Sequence, residues 1–185
     1  TGAEAPATPN GFAGKASKDT ISLSWQANTE SDIAGYKLYY DTDASGAPYK
    51  GTGAKEGASP IDAGNKTSFS LSSLTDGIYY LTITAYDKDG NESGYSQEIQ
   101  VRVDTTSPTG TIFINDGAVS TTSLSVTLTL SAADTGMGMG QGAQMRFSND
   151  NKTWSDPEAY STTKANWDLT AYGGTSTEGS KTVYA

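Results

Sequence analysis

This 185-residue chain contains no histidine and no cysteine, and the residues with a suggestive spacing in it are carboxylates and tyrosines. Nucleophile–histidine triads, imidazole bases and zinc sites of the usual composition therefore lack essential members. A glycosidase would require two carboxylates that face one cleft. The acidic residues instead lie mostly in turns, where they shape the backbone and keep the surface soluble. We predict that the chain is not an enzyme and requires no cofactor.

One short run of acidic residues has the spacing of a cation-binding loop. Asp87, Asp89 and Asn91 offer oxygen ligands at alternate positions, with Gly90 between them, as in calcium loops. The bidentate glutamate that an EF-hand places downstream is missing at the required distance. The alternative is that the same residues form the turn of a hairpin, and the sequence favours the turn over a metal site.

β-Strands with one buried face must position these side chains. Between residues 79 and 86, every second side chain is placed to enter a core, which is the period of a strand. Runs with the same period occur at 20–25, 33–40, 67–74 and 99–103. The predicted core positions of these runs include Trp25, Tyr36, Leu38, Leu74 and Tyr79. The hydroxyl of Tyr79 is expected to bond the backbone across the corner at the foot of its strand.

Residues 1–103 resemble a fibronectin type III domain, with residues 1–8 as a lead-in. The segment 74–93 is similar to strand F of that family and the hairpin after it, and 33–40 is similar to strand C. Trp25 stands where the family carries its strand B tryptophan. The resemblance implies a sandwich of two sheets. Residues 41–66, rich in Gly, Ala, Ser, Pro and Asp, are then a long loop that is either functional or mobile.

The same resemblance implies that strands C and F are neighbours. Tyr39, Tyr80 and Tyr86 would then share one exposed sheet face with Lys37. Tyrosines on a flat sheet can stack on sugar rings or anchor a protein interface at low entropic cost. The alternative is ordinary cross-strand pairing, which also favours Tyr beside Thr. If the face binds a ligand, another protein or a neighbouring module is expected before a glycan.

Residues 104–108 are a predicted linker, since a proline flanked by hydroxylated and acidic residues favours an extended and fairly stiff chain. The segment 109–185 carries, in order, the motifs Leu-x-Val-x-Leu-x-Leu-Ser-Ala, Met-Arg-Phe-Ser-Asn-Asp, Thr-Trp-Ser and Lys-Thr-Val-Tyr. With these motifs in this order, the segment resembles a bacterial immunoglobulin-like repeat. Trp154 and Trp167 are expected to be structural. The repeat departs from the pattern in a long glycine-rich loop at 134–143. It also reaches Ala185 before the last strand, so we expect an incomplete sandwich to which another segment could donate a strand.

Twelve basic and 21 acidic residues give the chain a formal charge of −9. An acidic surface repels phosphate, which argues against nucleic acid and anionic membranes as partners. No apolar run approaches the roughly 20 residues needed to cross a bilayer, so membrane insertion is not expected. The acidity and the abundance of Ser, Thr, Asn and Gly suit a protein that works outside the cell.

These features predict an all-β chain of two tandem sandwiches, fibronectin type III and then immunoglobulin-like, that is secreted or exposed at the cell surface. The leading hypothesis is a spacer, adhesion module or protein-interaction scaffold of a larger bacterial protein. The first alternative is an accessory module, able to contact carbohydrate, of a secreted polysaccharide-degrading enzyme. The second is a subunit of an extracellular fibre that exchanges strands with its neighbours.

Overall fold

The computed structural model of the protein describes residues 4–136, 138–140 and 142–185. Apart from one short 3₁₀ turn, the regular elements of these residues are β-strands, which confirms the predicted all-β class. The chain divides into two compact units, Thr1–Thr106 and Ser107–Ala185. We call them unit 1 and unit 2 and describe each by itself. Within the described ranges, no helix is long and apolar enough to cross a membrane.

Unit 1 contains two antiparallel sheets, as a sandwich requires. Its seven strands are β1 (Ala13–Ser17), β2 (Thr20–Ser24), β3 (Ile33–Asp41), β4 (Ile61–Gly64), β5 (Ser68–Leu71), β6 (Gly77–Asp87) and β7 (Ile99–Val103). One sheet has the order β1-β2-β5 and the other the order β4-β3-β6-β7. The long central strands β3 and β6 pair over most of their length, with Leu38 opposite Ile83 and Tyr40 opposite Leu81.

The core of unit 1 is formed by the inward side chains of both sheets. The residues expected there from the alternation are buried: Trp25, Tyr36, Leu38, Leu74 and Tyr79. The rings of Trp25 and Tyr36 meet edge to face, with their centroids 5.4 Å apart. The Tyr79 hydroxyl donates to the Thr75 carbonyl at 3.1 Å and accepts from its N–H at 3.2 Å. That pair of bonds closes the corner before β6, where the sequence placed it.

Unit 2 is built from shorter strands. They are β8 (Thr109–Ile114), β9 (Ser125–Ala133), β10 (Gln144–Met145), β11 (Glu158–Ala159) and β12 (Thr163–Asp168), with the 3₁₀ turn Asn115–Gly117 after β8. One sheet has the order β12-β9-β8 and the other pairs β10 with β11. The Lys-Thr-Val-Tyr motif at 181–184 forms a single bridge, between Ser148 and Tyr184, and no full strand. The predicted glycine-rich loop 134–143 includes residues 137 and 141, which lie outside the described residues.

The two predicted structural tryptophans of unit 2 have different surroundings. Trp167 is buried in the core beside Phe147, and its indole N–H donates to Asn149 at 2.9 Å. Trp154 is only half-buried and lies outside that core. It sits on the surface under the guanidinium of Arg146, 4.8 Å from the ring centroid.

Candidate interaction face

The residues predicted to form an exposed tyrosine face do lie on the outer side of the β4-β3-β6-β7 sheet. Lys37 is opposite Thr84, and Tyr39 is opposite Thr82. The face is not open, however. Thr82 and Thr84 are 0% and 1% exposed, and Lys37 and Tyr39 are half-buried. The expectation of a flat exposed sheet is therefore wrong, because two segments outside the strands fold over it.

The first covering segment is residues 91–98, which return along the free edge of β6. Ser93 and Ser96 pair with Ala85 and Ile83 through backbone N–H to carbonyl bonds of 2.8 and 2.9 Å. The backbone N–H groups of Ala85 and Ile83 in turn donate to the hydroxyls of Ser93 and Ser96, at 2.9 and 3.1 Å. Serine side chains thus supply acceptors that an ordinary ladder would take from carbonyls. The edge of β6 is satisfied without a regular strand.

Glu92 fastens this segment to the sheet. One of its carboxylate oxygens accepts from the Lys37 ammonium, and the other accepts from the hydroxyls of Tyr39 and Thr84, each at 2.6 Å. Burial by itself would raise the pKa of Glu92, but the hydrogen bonds from Lys37, Thr84 and Tyr39 outweigh it and lower the pKa. The carboxylate is ionised at neutral pH. Burial and the bond to Glu92 correspondingly raise the pKa of Tyr39, so the phenol stays protonated.

The second covering segment is the first part of the predicted long loop, residues 42–50. Glu98 accepts from the Ser45 hydroxyl, the Gly46 N–H and the Tyr49 hydroxyl at 2.6 to 2.7 Å. The Asp41 carboxylate accepts from the backbone N–H of Thr42 and of Lys50, the first and last residues of the segment, both at 2.7 Å. Asp41 therefore holds the two ends of the segment and Glu98 holds its middle, which accounts for its ordered path despite its composition.

Three tyrosines meet where the two covering segments converge. Tyr95 packs edge to face against Tyr39 and Tyr49, with ring centroids 5.0 and 5.4 Å apart. Tyr39 and Tyr49 are themselves 6.4 Å apart. Tyr49 is buried, whereas Tyr95 is 45% exposed. We call these three residues the tyrosine cluster. Its outward surface is the ring of Tyr95, supported from below by the other two rings.

The remaining predicted face residues have separate roles. The Tyr86 ring lies over Gly35, where an added Cβ would stand 2.5 Å from the Tyr86 hydroxyl oxygen. That hydroxyl donates to the Asp62 carboxylate at 3.0 Å, and the Lys37 ammonium lies 5.7 Å from the ring centroid. Tyr80 is half-buried and lies opposite Asp41. Tyr86 is thus committed to contacts within unit 1, and it does not join the tyrosine cluster.

The candidate cation loop at 87–91 is a hairpin turn. The Asp87 carboxylate accepts from the backbone N–H groups of Asp89 and Asn91 and from the Asn91 side-chain amide, at 2.8 to 2.9 Å. These bonds, the one from the Asn91 side chain first, lower the pKa of Asp87. Both of its oxygens are turned to internal donors. In the described part of the chain, no group of three or more acidic residues is placed to hold a metal ion.

Carboxylates also fasten the chain where it enters and leaves unit 1. Glu30 accepts from the Ala7 N–H at 2.7 Å, and the Asn28 side-chain amide donates to the Ala7 carbonyl at 2.7 Å. Asp76 accepts from both the N–H and the hydroxyl of Thr105, at 2.7 and 2.6 Å. We call these contacts the entry clamp and the exit clamp. The hydrogen bonds lower the pKa of Glu30 and of Asp76, so both carboxylates are ionised at neutral pH.

Sequence reasoning missed the residues that organise this face: Glu92, Tyr95 and Glu98. They lie between a turn and a strand, in a run without the period-two alternation of a strand. The partners of Glu92, Lys37 and Tyr39, are more than 50 residues away in the sequence. The available signal was a glutamate and a tyrosine directly after a hairpin turn and beside a strand rich in Tyr and Thr. That signal acquires meaning only when β3 and β6 are known to be neighbours.

No family model and no curated protein matches the chain. Similar solved structures include the FN1–FN3 domains of chicken CNTN1, at 23% identity and a TM-score of 0.44, covering 54% of this chain and 33% of that one. The Clostridium perfringens spore cortex lytic enzyme SleM has 19% identity and a TM-score of 0.39, covering 53% and 28%. The PKD domain of an M14-like peptidase from a Thermoplasmatales archaeon has 19% identity and a TM-score of 0.33, covering 54% and 96%. The chain spans a third or less of the length of the first two.

Proposed function

We propose that this chain is a non-enzymatic structural segment of a secreted or cell-surface protein, in which unit 1 acts as a rigid spacer. The observation that carries the proposal is the pair of clamps on unit 1. A spacer must hold the incoming and outgoing chain in fixed positions, and a sandwich with loosely attached ends would not do so.

The two clamps lie at opposite ends of the same long strand. Asp76 of the exit clamp directly precedes Gly77, the first residue of β6. Glu30 of the entry clamp lies three residues before Ile33, which pairs with Asp87 at the other end of β6. An 11-residue strand spans roughly 35 Å at the usual rise per residue. The chain therefore enters unit 1 at one end of its central sheet and leaves at the other.

The acidic composition supports the same role. Much of the negative charge of unit 1 is used internally, since Glu30, Asp41, Asp76, Glu92 and Glu98 each accept hydrogen bonds from loops or chain ends. Hydrogen bonds to charged groups are stronger than those between neutral groups. A surface of net negative charge also resists non-specific association, which suits a module that works outside the cell beside other modules.

In this role the partners are neighbouring modules of a longer protein or other proteins. For unit 2 we retain the proposal that another segment can add a strand, because Tyr184 exchanges both of its backbone bonds with Ser148 and the neighbouring Val183 is buried in the core. In an antiparallel pair, successive residues direct their backbone groups to alternate sides of the strand, so the N–H and C=O of Val183 point away from Ser148. Those groups are where an added strand would pair.

The spacer role is tested by a distance measurement across unit 1. The chain has no cysteine, so Ala5→Cys and Thr106→Cys introduce a unique pair of spin-label sites. Double electron–electron resonance should give one narrow distance distribution. Glu30→Ala and Asp76→Ala should each broaden the distance distribution. Asp89→Ala, which removes an exposed acidic residue that belongs to neither clamp, should leave the distribution unchanged. A broad distribution in the parent protein that neither clamp variant alters would contradict the proposal.

The accessory-module alternative is tested separately by affinity electrophoresis in gels that contain soluble polysaccharides. A spacer should migrate at the same rate with and without the polysaccharide. Retardation that is lost in Tyr95→Ser would instead favour a carbohydrate-contacting module, because Tyr95 is the exposed ring of the candidate face.

A further inference from the structure

We propose that the tyrosine cluster is a docking surface for a basic segment of a partner protein, with an arginine side chain stacked on Tyr95. This inference goes beyond the spacer role and does not depend on it, since it concerns the outer face of the central sheet and not the chain ends. It rests on three observations: an exposed aromatic ring supported by two others, carboxylates beside it that take no part in the ion pairs of the described residues, and the position of both on one face of the sheet.

The ring of Tyr95 is exposed but held in place. Its edge-to-face contacts with Tyr39 and Tyr49 fix its orientation, and the hydroxyls of those two residues are anchored on Glu92 and Glu98 at 2.6 and 2.7 Å. An interface side chain that is already ordered loses little conformational entropy when a partner binds. Tyrosines with these properties are frequent hot spots of protein interfaces.

The charge around the cluster is negative and is not neutralised within unit 1. Glu98 and Asp41 both accept from neutral donors, namely hydroxyls and backbone N–H groups. Asp43 is exposed beside Asp41. None of the three ion pairs formed by the described residues includes these acids. The segment 41–50 together with Glu98 holds three carboxylates and one lysine, Lys50.

The carboxylates and the ring lie on the same face of the sheet. Asp41 is two residues beyond Tyr39 on β3, so both side chains point to the outer face at a spacing of about 7 Å. Asp41 is only 7% exposed, so the carboxylates open to a partner are those of the exposed Asp43 and the half-buried Glu98. Glu98 contacts Tyr49 directly. A guanidinium over the Tyr95 ring would therefore lie within reach of carboxylate acceptors. Arginine suits this combination better than lysine, because its planar group stacks on aromatic rings and forms directed bonds to carboxylates.

Nuclear magnetic resonance titration tests the proposal with a defined probe. The whole chain, labelled with nitrogen-15, is titrated with the peptide acetyl-Gly-Gly-Arg-Gly-Arg-Gly-Gly-amide and with the same peptide carrying lysine in place of arginine. Saturable shifts centred on Tyr95 and on residues 41–50 are expected, with weaker binding of the lysine peptide. Tyr95→Ser should weaken binding of the arginine peptide about fivefold, and Glu98→Gln should weaken it while keeping an acceptor for Tyr49.

Tyr172→Ser is the matched control, because Tyr172 is a 40% exposed tyrosine of unit 2 whose ring stacks on Trp167, so it belongs to a different aromatic pair. It should leave the affinity unchanged. Equal affinity in the parent protein and Tyr95→Ser, or an equal loss in Tyr172→Ser, would overturn the proposal. So would concentration-dependent shifts of Tyr95 without peptide, which would indicate a second copy as the occupant, or shifts with polysaccharide but not peptide. A failure here leaves the distance measurement across unit 1 unaffected, so the two proposals can fail separately.

Discussion

Glu92 offers the most demanding prediction, because one carboxylate holds three donors from two strands. Replacing it by alanine should lower the free energy of unfolding of unit 1 by about 3 kcal/mol. The Lys37 ion pair contributes only about 0.5 kcal/mol of this, since both side chains are partly exposed, at 36% and 26%. The rest comes from the hydroxyls of Tyr39 and Thr84, which lose a charged acceptor, and Thr84 has almost no access to water.

Glu92→Gln separates charge from shape. The glutamine oxygen can still accept from Tyr39 and Thr84. Its amide nitrogen, however, is a donor and would face the Lys37 ammonium, which is also a donor, so the bond to Lys37 is lost. We expect a smaller loss of about 1 kcal/mol. Asp89→Asn is the matched control, because it removes one negative charge from an exposed position of the same hairpin.

Urea unfolding of the whole chain, followed by separate resonances of unit 1 and unit 2, measures these losses. The unit 1 midpoint of Glu92→Ala should fall by about 1 M or more, while the unit 2 midpoint stays constant as an internal reference. A unit 1 midpoint that moves no further than in Asp89→Asn would refute the reasoning that Glu92 fastens the covering segment to the sheet.

Three further outcomes follow from other contacts. Tyr79→Phe should lower the free energy of unfolding of unit 1 in urea by about 1 kcal/mol, because it removes both hydrogen bonds between the hydroxyl and Thr75. An unchanged free energy would show that the corner does not depend on these bonds. Gly35→Ala should lower the free energy of unfolding of unit 1 by about 1–3 kcal/mol, because the new Cβ meets the Tyr86 ring. It should also make Tyr86 more accessible to chemical modification. Unaltered stability would contradict the close packing. The bond with Asp43 and the Lys50 amide lower the pKa of Asp41 to about 2, so its contribution is complete above about pH 5 and is lost as the pH falls towards 2. A urea midpoint of unit 1 that rises on acidification would contradict this sign.

The sandwich of unit 1 was predictable because each of its strands is marked by a pattern of neighbouring residues. Period two between 79 and 86 places Tyr79, Leu81 and Ile83 in the core, and Trp25 and Tyr36 follow from the same rule. The turn at 87–91 was favoured over a metal site because the downstream glutamate of an EF-hand is missing and because the resembled family has a hairpin turn there. Trp154 lies outside any run with period two, so its half-buried position beside the Arg146 guanidinium could not be predicted from that alternation.

The candidate face could not be predicted from local patterns. Alternation correctly put Tyr39 and Thr84 on the outer side of the sheet, but the outer side of a strand is exposed only if nothing folds over it. The cover depends on Glu92 and Glu98, which bond residues about 50 positions away. Ser93 and Ser96 replace ladder carbonyls with hydroxyls, and an edge satisfied in this way has no strand periodicity to detect. Contacts between distant residues decided which tyrosine remains exposed.

The central claim, that unit 1 holds its incoming and outgoing chain rigidly, is tested most directly at the two amides that the clamps bind. Backbone relaxation of the nitrogen-15-labelled protein reports the order parameters of Ala7 and Thr105, which donate to Glu30 and Asp76. The account predicts order parameters of about 0.85, as in the rigid strand β6. Order parameters under about 0.6 at either amide, typical of a flexible chain, would contradict it.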